Sequence, residues 1–464
     1  MSAGFETQIR GLEELRLREP TELDARLNYD VIVAGGGASG LIAAVCAARS
    51  GARTLLVDRA GCLGGTATTA YVAQYLGFFN NNLQAVWGVP FEFVRRIIAS
   101  GGSDGFTKYT LAEAAATPLV VHNLPFNPEI VKIVADEIAR EANVAVLLHS
   151  QIADVLIRDG RVSGIVVEGI SGRQEIGAGV VVDATGDALV AKAAGVEVRG
   201  EDADLSKARQ PMTLVFRLSN VDVAKFRAIP REKKRALALK GIDAGELFWE
   251  SMSFVSTPGG TDAICLMSRI QGLDALDHFD RSEAERVGRQ QIKSIVGFLN
   301  REVPGFERSI IASIAPSVGV RETRRIVGQY TLTEEDIIQQ REFVDSVALG
   351  CGPMDLHEPN GTGIQLAMPP APFEIPMRCL IPGDVEGLIV TGRAISATRE
   401  ANGGARHMAT AMALGQAAGT MAAIAVRRKV STRSLPVDVV QYELRAAGAA
   451  LSKADCGAHA SAAE

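Results

Sequence analysis

The chain has 464 residues, 47% of them hydrophobic and 22% charged, with a formal net charge of -6. That is the balance of a globular protein with room for more than one domain, and no polybasic run argues for nucleic acid. The six cysteines stand singly with no CxxC pair, which sets aside thioredoxin-like redox chemistry and a structural zinc site, and a reducing, cytoplasmic setting is expected. The N-terminus lacks the charged start and apolar core of a signal peptide, and no uninterrupted apolar run reaches the ~18 residues of a membrane span.

Residues 1–28 read as a polar N-terminal arm, whose leucines between 12 and 27 could pair subunits, so a homo-oligomer stays open. The pattern then sharpens into a strand over Tyr29–Ala34, a glycine turn, a helix over Leu41–Arg49 and a strand over Thr54–Val57 that ends at Asp58. Residues 62–128 have weak periodicity and read as irregular cover over a site. Ile130, Ile133, Val134 and Ile138 predict a helix over Pro128–Glu141. Strands follow over Val144–Leu148, Gln151–Arg158 and Val162–Glu168, with Asp159-Gly160 as a hairpin turn, and then an apolar strand over Gly179–Asp183. From about 200 to 380 the character changes. Strand-like pieces such as Thr213–Leu218 and Ala263–Met267 alternate with the charged helical run Asp280–Leu299. A strand over Leu388–Thr391, a helix over Ala405–Met421 and a helix over Val437–Ala446 close the chain. The expected organisation is a discontinuous nucleotide-binding domain, 29–200 and 388–430, with a substrate or cap domain at 201–387 inserted in it. A C-terminal helix and tail at 431–464 complete the division.

Gly35, Gly37 and Gly40 in GGGASG carry GxGxxG spacing, between a strand and a helix, and Asp58 follows at the end of the second strand. The spacing has physical content. Gly35 permits the tight turn, Gly37 makes room for a pyrophosphate, and Gly40 lets the helix pack on the strand. The helix start at Ala38 and Ser39 offers unpaired N–H groups to the phosphates, and Asp58 suits the two ribose hydroxyls. This fingerprint serves NAD and FAD alike. GCLGGTATT, only a few residues past Asp58, supplies a second close approach of backbone to an extended cofactor and the hydroxyls of Thr66, Thr68 and Thr69.

Four segments together resemble a known family: YDVIVAGGGASG at 29–40, GCLGGTAT at 61–68, VVDATGDA at 181–188 and LIVTGRAISATREANGGARHMATAMALGQAAG at 388–419. The chain resembles the bacterial FAD-dependent oxidoreductases of the glutathione-reductase superfamily, in the branch of fumarate reductase flavoproteins and aspartate oxidase. The resemblance implies an α/β fold, a Rossmann-like FAD-binding domain of three layers (ββα/βαβ) with an inserted mixed α+β substrate domain. It implies non-covalent FAD held by Gly35, Gly37, Ala38, Ser39, Gly40, Asp58, Arg59, Gly64, Gly65, Thr66 and Thr68. By the same resemblance Gly186 and Asp187 lie on the adenine side, and Gly392 and Arg393 by the pyrophosphate and ribityl chain. Gly403, Gly404 and Ala405 would bring a helix N-terminus to the flavin pyrimidine ring. Where such flavoproteins often carry Glu, this chain has the shorter Asp58.

The expected activity is hydride transfer between flavin N5 and a small organic, carboxylate-bearing substrate. A flavin-dependent monooxygenase, or a non-catalytic electron-transfer subunit of a complex, is the alternative. Arg321 or Arg325, in VGVRETRRIVG, fits a substrate carboxylate through the guanidinium fork, against the alternative of an internal ion-pair network. His407 is the first candidate proton carrier, against a structural bond to a backbone carbonyl, and His357 is the second. The lone cysteines provide neither a disulfide-reductase CxxxxC pair nor an iron–sulfur cluster. No metal is expected, and the second electron partner stays open.

Overall fold

The computed structural model describes residues 27–111, 119–201, 209–250 and 252–457. Most of the proposed N-terminal arm, and with it the suggested pairing leucines, therefore lies outside the described residues.

The sheet that organises the fold begins with β1 (Asn28–Ala34), helix α1 (Ala38–Arg49) and β2 (Thr54–Val57). All but the first residues of β1 and the whole of β2 are buried, which is why these strands read as unbroken apolar runs rather than as alternating ones. Helix α2 (Pro128–Glu141) is started by Asn127, whose side chain accepts from Glu129 N, with proline at the first helical position. It leads into β3 (Ala145–Leu147), and then β4 (Gln151–Arg158), β5 (Arg161–Gly169) and β6 (Gly172–Asp183) follow. Six strands of a seven-stranded sheet run in the order β3-β2-β1-β6-β5-β4, and the seventh pairs with β6 off this path. β3, β2, β1 and β6 are parallel, and β5 and β4 are antiparallel additions. Asp159 and Gly160 at the β4–β5 turn both have positive φ, 51° and 73°, as a two-residue hairpin of right-handed strands requires.

The chain then leaves this sheet. Strands β7 (Phe216–Ser219), β8 (Phe254–Ser256), β9 (Ala263–Cys265) and β10 (Ile310–Ile314) form an antiparallel sheet in the order β8-β9-β7-β10. The long helix α3 (His278–Glu302) buries Ala284, Gly288, Ile292, Ile295 and Leu299 along one face. A short hairpin of β11 (Met354–His357) and β12 (Ile364–Ala367) follows. The chain returns at β13 (Leu388–Val390), which pairs in parallel with β6 through Val181, Val182 and Asp183. Helices α4 (Arg399–Ala405) and α5 (Met408–Arg428) complete the region.

Helix α5 lies against α1 at backbone distance. A methyl group on Gly415 would stand 2.1 Å from the Ser39 carbonyl oxygen, and one on Gly419 would stand 2.1 Å from that of Ala43. The small residues of α5 are thus accounted for by this crossing.

Three expectations need correction. Residues 62–128 are not merely irregular: they hold a helix at Val89–Ala99 and a three-stranded sheet of Gln74–Leu76, Leu119–Pro125 and Thr107–Leu111. The single helix expected over Ala405–Met421 is two, broken at Arg406-His407. Gly403, Gly404 and Ala405 are accordingly inside α4 and buried, not in a turn before a helix start. A methyl on Gly403 would press on the Asp355 backbone at 3.2 Å, so these glycines let α4 pack on β11. Finally, α5 is long and apolar enough to cross a membrane by length and composition. Its mean hydropathy is 1.4, and 89% of that stretch is buried inside the fold.

Candidate active site

A cleft of about 1410 Å³ runs from the β1–α1 turn to the β11–β12 hairpin. Its first part is built from the glycine turn, and each glycine is there for a different reason. Gly35, at φ +103°, lies so close to Ala184 that a methyl would stand 2.5 Å from the carbonyl oxygen; on Gly40 a methyl would stand 1.7 Å from the Gly35 oxygen. Gly37 differs: its nearest neighbour for a methyl is the Gly65 Cα at 3.9 Å. The open side of Gly37 therefore faces the cleft, as a bound phosphate demands, while Gly35 and Gly40 serve the turn and the packing. Gly65, at φ +52°, backs onto Gly37, where a methyl would come to 2.7 Å from its Cα. The two glycine motifs therefore form one floor.

Asp58 accepts from Gly36 N at 2.6 Å and from Ala60 N at 2.7 Å, so it both ties β2 to the glycine turn and lines the cleft. Gly35, Gly37, Ala38, Ser39, Arg59, Gly65, Thr66, Thr69, Gly186, Asp187, Gly392 and Arg393 line the same cleft. Several of the expected cofactor residues do not. Gly40 and Gly64 have packing roles, and a methyl on Gly64 would collide with Thr68. The Thr68 side chain is fully buried, and its hydroxyl donates to Leu63 O at 2.7 Å. Gly403, Gly404 and Ala405 do not line the cleft either, whereas Arg406, His407 and Met408, at the start of α5, do.

Arg393 donates to Gly186 O at 2.7 Å and to Asp187 Oδ1 at 2.6 Å. Thr323 also donates to Asp187 Oδ1, and Arg281 lies 3.7 Å from Oδ2. Burial pushes the Asp187 carboxyl up, yet Arg393, Arg281 and Thr323 together hold it below the usual carboxylate range.

The far part of the cleft holds a second polar cluster. His357 on β11 receives a hydrogen bond at Nδ1 from Arg269 Nη1 at 3.2 Å, because a guanidinium only donates. The ring proton is thereby placed on Nε2, which lies 3.4 Å from Asp355 Oδ1. Arg406 donates from Nη2 to Asp355 Oδ2 at 3.0 Å. Burial first, then the charge of Arg321, lowers His357 to about 4, so it is neutral at pH 7. Asp355 is pushed up by its burial but brought below its ordinary value by His357, Arg406 and Arg321. The cluster thus gathers Arg269, Arg321 and Arg406 around the Asp355 carboxylate, with Glu358 also acting on Arg269 and Glu322 on Arg321.

Arg321 and Arg325 part company here. Arg321 lines the cleft. Its Nη1 donates to Pro211 O and to Thr213 Oγ1 at 2.9 Å; Nε and Nη2 have no protein partner among the described residues. Burial, then Arg406, lowers its guanidinium to about 10. Arg325 instead points away: it is buried in a two-stranded ladder with Arg199, and its Nε donates to Ala397 O at 3.1 Å. Glu322 belongs to the ion-pair network, accepting from Arg399 at 3.0 Å and from Gln210 N at 2.7 Å.

His407 lines the cleft, but its Nε2 donates to Pro353 O at 2.7 Å and its ring lies against Gly352. Burial keeps it neutral by lowering its pKa. Its geometry is that of the structural alternative, a side chain fixing the β11 entry. Arg269, Arg281 and Trp249 had no sequence signal: each is a single residue outside any motif, and tertiary packing places Arg281 and Trp249 at the cleft and Arg269 behind His357.

The FAD dependent oxidoreductase family model matches residues 30–444. The chain belongs to the FAD-dependent oxidoreductase family. Its cofactor is FAD, and it is an enzyme. The open face of Gly37, the start of α1 and Asp58 fit the adenosine diphosphate part of that cofactor. Digeranylgeranylglycerophospholipid reductase 2 of Methanothermobacter thermautotrophicus is 31% identical over 198 residues, a match that covers 42% of this chain and 48% of that protein. The chain therefore spans about half the length of this curated relative. Among solved structures, a geranylgeranyl bacteriochlorophyll reductase-like protein from Thermoplasma acidophilum is 14% identical with a TM-score of 0.46, covering 90% of this chain and 82% of that one. A p-nitrophenol 4-monooxygenase from Pseudomonas putida is 12% identical with a TM-score of 0.47, covering 90% of this chain and 85% of that one. No activity is carried across at these levels. The family model carries the broad family, and a digeranylgeranylglycerophospholipid reductase is among the chain's relatives. Neither carries the fumarate reductase and aspartate oxidase branch that the motifs resemble.

Proposed function

We propose that this flavoenzyme oxidises or reduces a small organic molecule bearing a carboxylate, bound where Arg321, Arg406, Asp355 and His357 meet. One observation carries the reading: Arg321 is a guanidinium facing the cleft, held by Nη1 alone, with no acid paired to it among the described residues. A substrate carboxylate suits its remaining Nε and Nη2 edge, which is the fork that binds two oxygens at once. FAD, when bound, supplies hydride acceptance or donation at N5. Arg321 orients the acid and Arg406 keeps Asp355 ionised beneath it. His357, its tautomer set by Arg269, holds a proton on Nε2 at the cleft wall. We assign proton handling to His357 rather than His407, whose Nε2 is engaged with Pro353. This reading also takes 29–200 and 388–430 as one FAD domain and 201–387 as the part that shapes the substrate end.

Anaerobic mixing with a panel of small carboxylic acids, followed at the visible flavin band, tests this. Arg321→Gln should raise the half-saturating concentration of any reacting acid by on the order of 10²-fold, from the loss of a charged bidentate contact. A variant that reacts as the wild type does would sink the assignment. A second reading, reduction of a double bond in an apolar isoprenoid chain, is favoured by Trp249, Leu266, Ile364 and Leu366 on the cleft wall and by the name of the curated relative. Anaerobic reoxidation of the dithionite-reduced enzyme by a geranylgeranyl lipid, and not by unsaturated acids, would select it.

A further inference from the structure

We propose that Arg281, on the long helix α3 of the inserted region, binds the diphosphate of FAD together with Arg59, which follows β2 and lines the same cleft. Helix α3 is fixed at its start by Asp277, whose carboxylate accepts from Phe279 N at 2.8 Å and Asp280 N at 2.9 Å. Arg281 projects from that first turn into the cleft. Its one ion pair among the described residues is with Asp187 Oδ2 at 3.7 Å, on a carboxylate already bonded by Arg393 at 2.6 Å and by Thr323 at 2.9 Å. Arg281 therefore takes the outermost place on an acid that is otherwise engaged.

Arg59 also lines the cleft, and it has neither a hydrogen bond nor an ion pair among the described residues. Arg281 and Arg393 thus share the Asp187 carboxylate while Arg59 has no acid partner among the described residues, leaving a surplus of positive charge in a partly desolvated cleft. Burial and the charge of Arg59 both press the Arg281 guanidinium below its ordinary value. Such an arrangement is relieved by an anion among the three.

The position of that anion follows from the backbone. Gly35 packs on Ala184 and Thr185, just before Asp187, and Gly392 packs on Ser39. The arginines consequently stand beside the turn where α1 begins, so one diphosphate can receive N–H groups from α1 and guanidinium groups from the end of β2 and from α3. Because α3 belongs to the inserted region, this contact would fasten that region onto the cofactor.

The test titrates the full-length apoprotein with FAD, with ADP, which carries the diphosphate, and with adenosine, which lacks it. Arg281→Gln should weaken FAD and ADP by about 10- to 100-fold, the range of a charged hydrogen bond. It should leave adenosine unchanged and flatten the dependence of ADP affinity on salt. Arg59→Gln, an exposed change that spares the fold, should show the same split between ADP and adenosine. Unchanged ADP affinity in both variants overturns the proposal, as does an equal loss of ADP and adenosine. Should Arg281→Gln fail to fold by circular dichroism, Arg281→Lys gives the same comparison. Its point charge without a fork is expected to bind ADP several-fold more weakly than arginine does.

Discussion

At the scale of single residues, the three fingerprint glycines make separable predictions. Gly37→Val fills space that no protein atom occupies, so the variant should fold with the thermal transition of the wild-type apoprotein and retain no FAD after gel filtration. Gly40→Val drives a side chain into the Gly35 carbonyl and should instead cost several kcal/mol of stability, read by thermal or denaturant unfolding. Retention of FAD by a folded Gly37→Val protein would mean that the diphosphate passes elsewhere. His357 gives a pH signature. Its folded value, about 4, lies below the unfolded value of about 6.5, so the unfolded chain binds the extra proton between them. The resulting stability is full above about pH 6.5 and is lost as pH falls toward 4. His357→Gln should therefore lose less stability than the wild type between pH 7 and pH 4.5, measured by thermal unfolding. An equal loss would show that this imidazole is not held neutral by its surroundings.

At the scale of elements, the α1–α5 crossing links the fold to the cofactor site. Gly415 and Gly419 meet the carbonyls of Ser39 and Ala43, and Ser39 Oγ also bonds Thr391 Oγ1 at 2.7 Å. Gly415→Val must push the helices apart exactly where α1 presents its first N–H groups, an overpacking cost of about 1–3 kcal/mol. The expected outcome is a lower melting temperature together with weaker FAD retention. The same change made at Gly297, where a methyl meets nothing, should leave retention alone. A Gly415→Val variant that melts early but holds FAD normally would show that the crossing does not transmit strain to the turn.

For the whole molecule, the cleft draws walls from residues 35–66, 184–187, 281, 316–321, 353–366 and 391–411. Folding and cofactor binding are therefore coupled across distant parts of the chain. FAD at ~100 times its dissociation constant should add about 2.7 kcal/mol to unfolding, and the gain should appear in a single transition seen by both circular dichroism and flavin fluorescence. A transition that FAD leaves in place while another moves would show that part of the chain folds independently of the cofactor.

The nucleotide half was legible in the sequence because its signals are local. An apolar run into glycines at 31–40, the acid Asp58 and the helix spacing of 128–141 each follow from backbone sterics and periodicity within a few residues. The glycines at 403 and 404 show the limit. Their freedom was visible, but its use was not: they serve close packing of α4 on β11 rather than a turn at the cofactor, because that depends on where residues 354–357 return in space. The same holds for the polar end of the cleft. Arg321 and Arg325 are alike in sequence and four residues apart, and only the tertiary structure turns one into the cleft and the other into a buried ladder. From the sequence, His407 comes ahead of His357 as proton carrier, and the Pro353 carbonyl and the Arg269 guanidinium, each distant in the chain, reverse that order in the proposed function. Sequence determined the parts whose cause is local, the cofactor class and the strands and helices that hold it. Packing between segments far apart decided which side chains meet, since the charge and hydrogen-bond state of each is set by neighbours that no local pattern names.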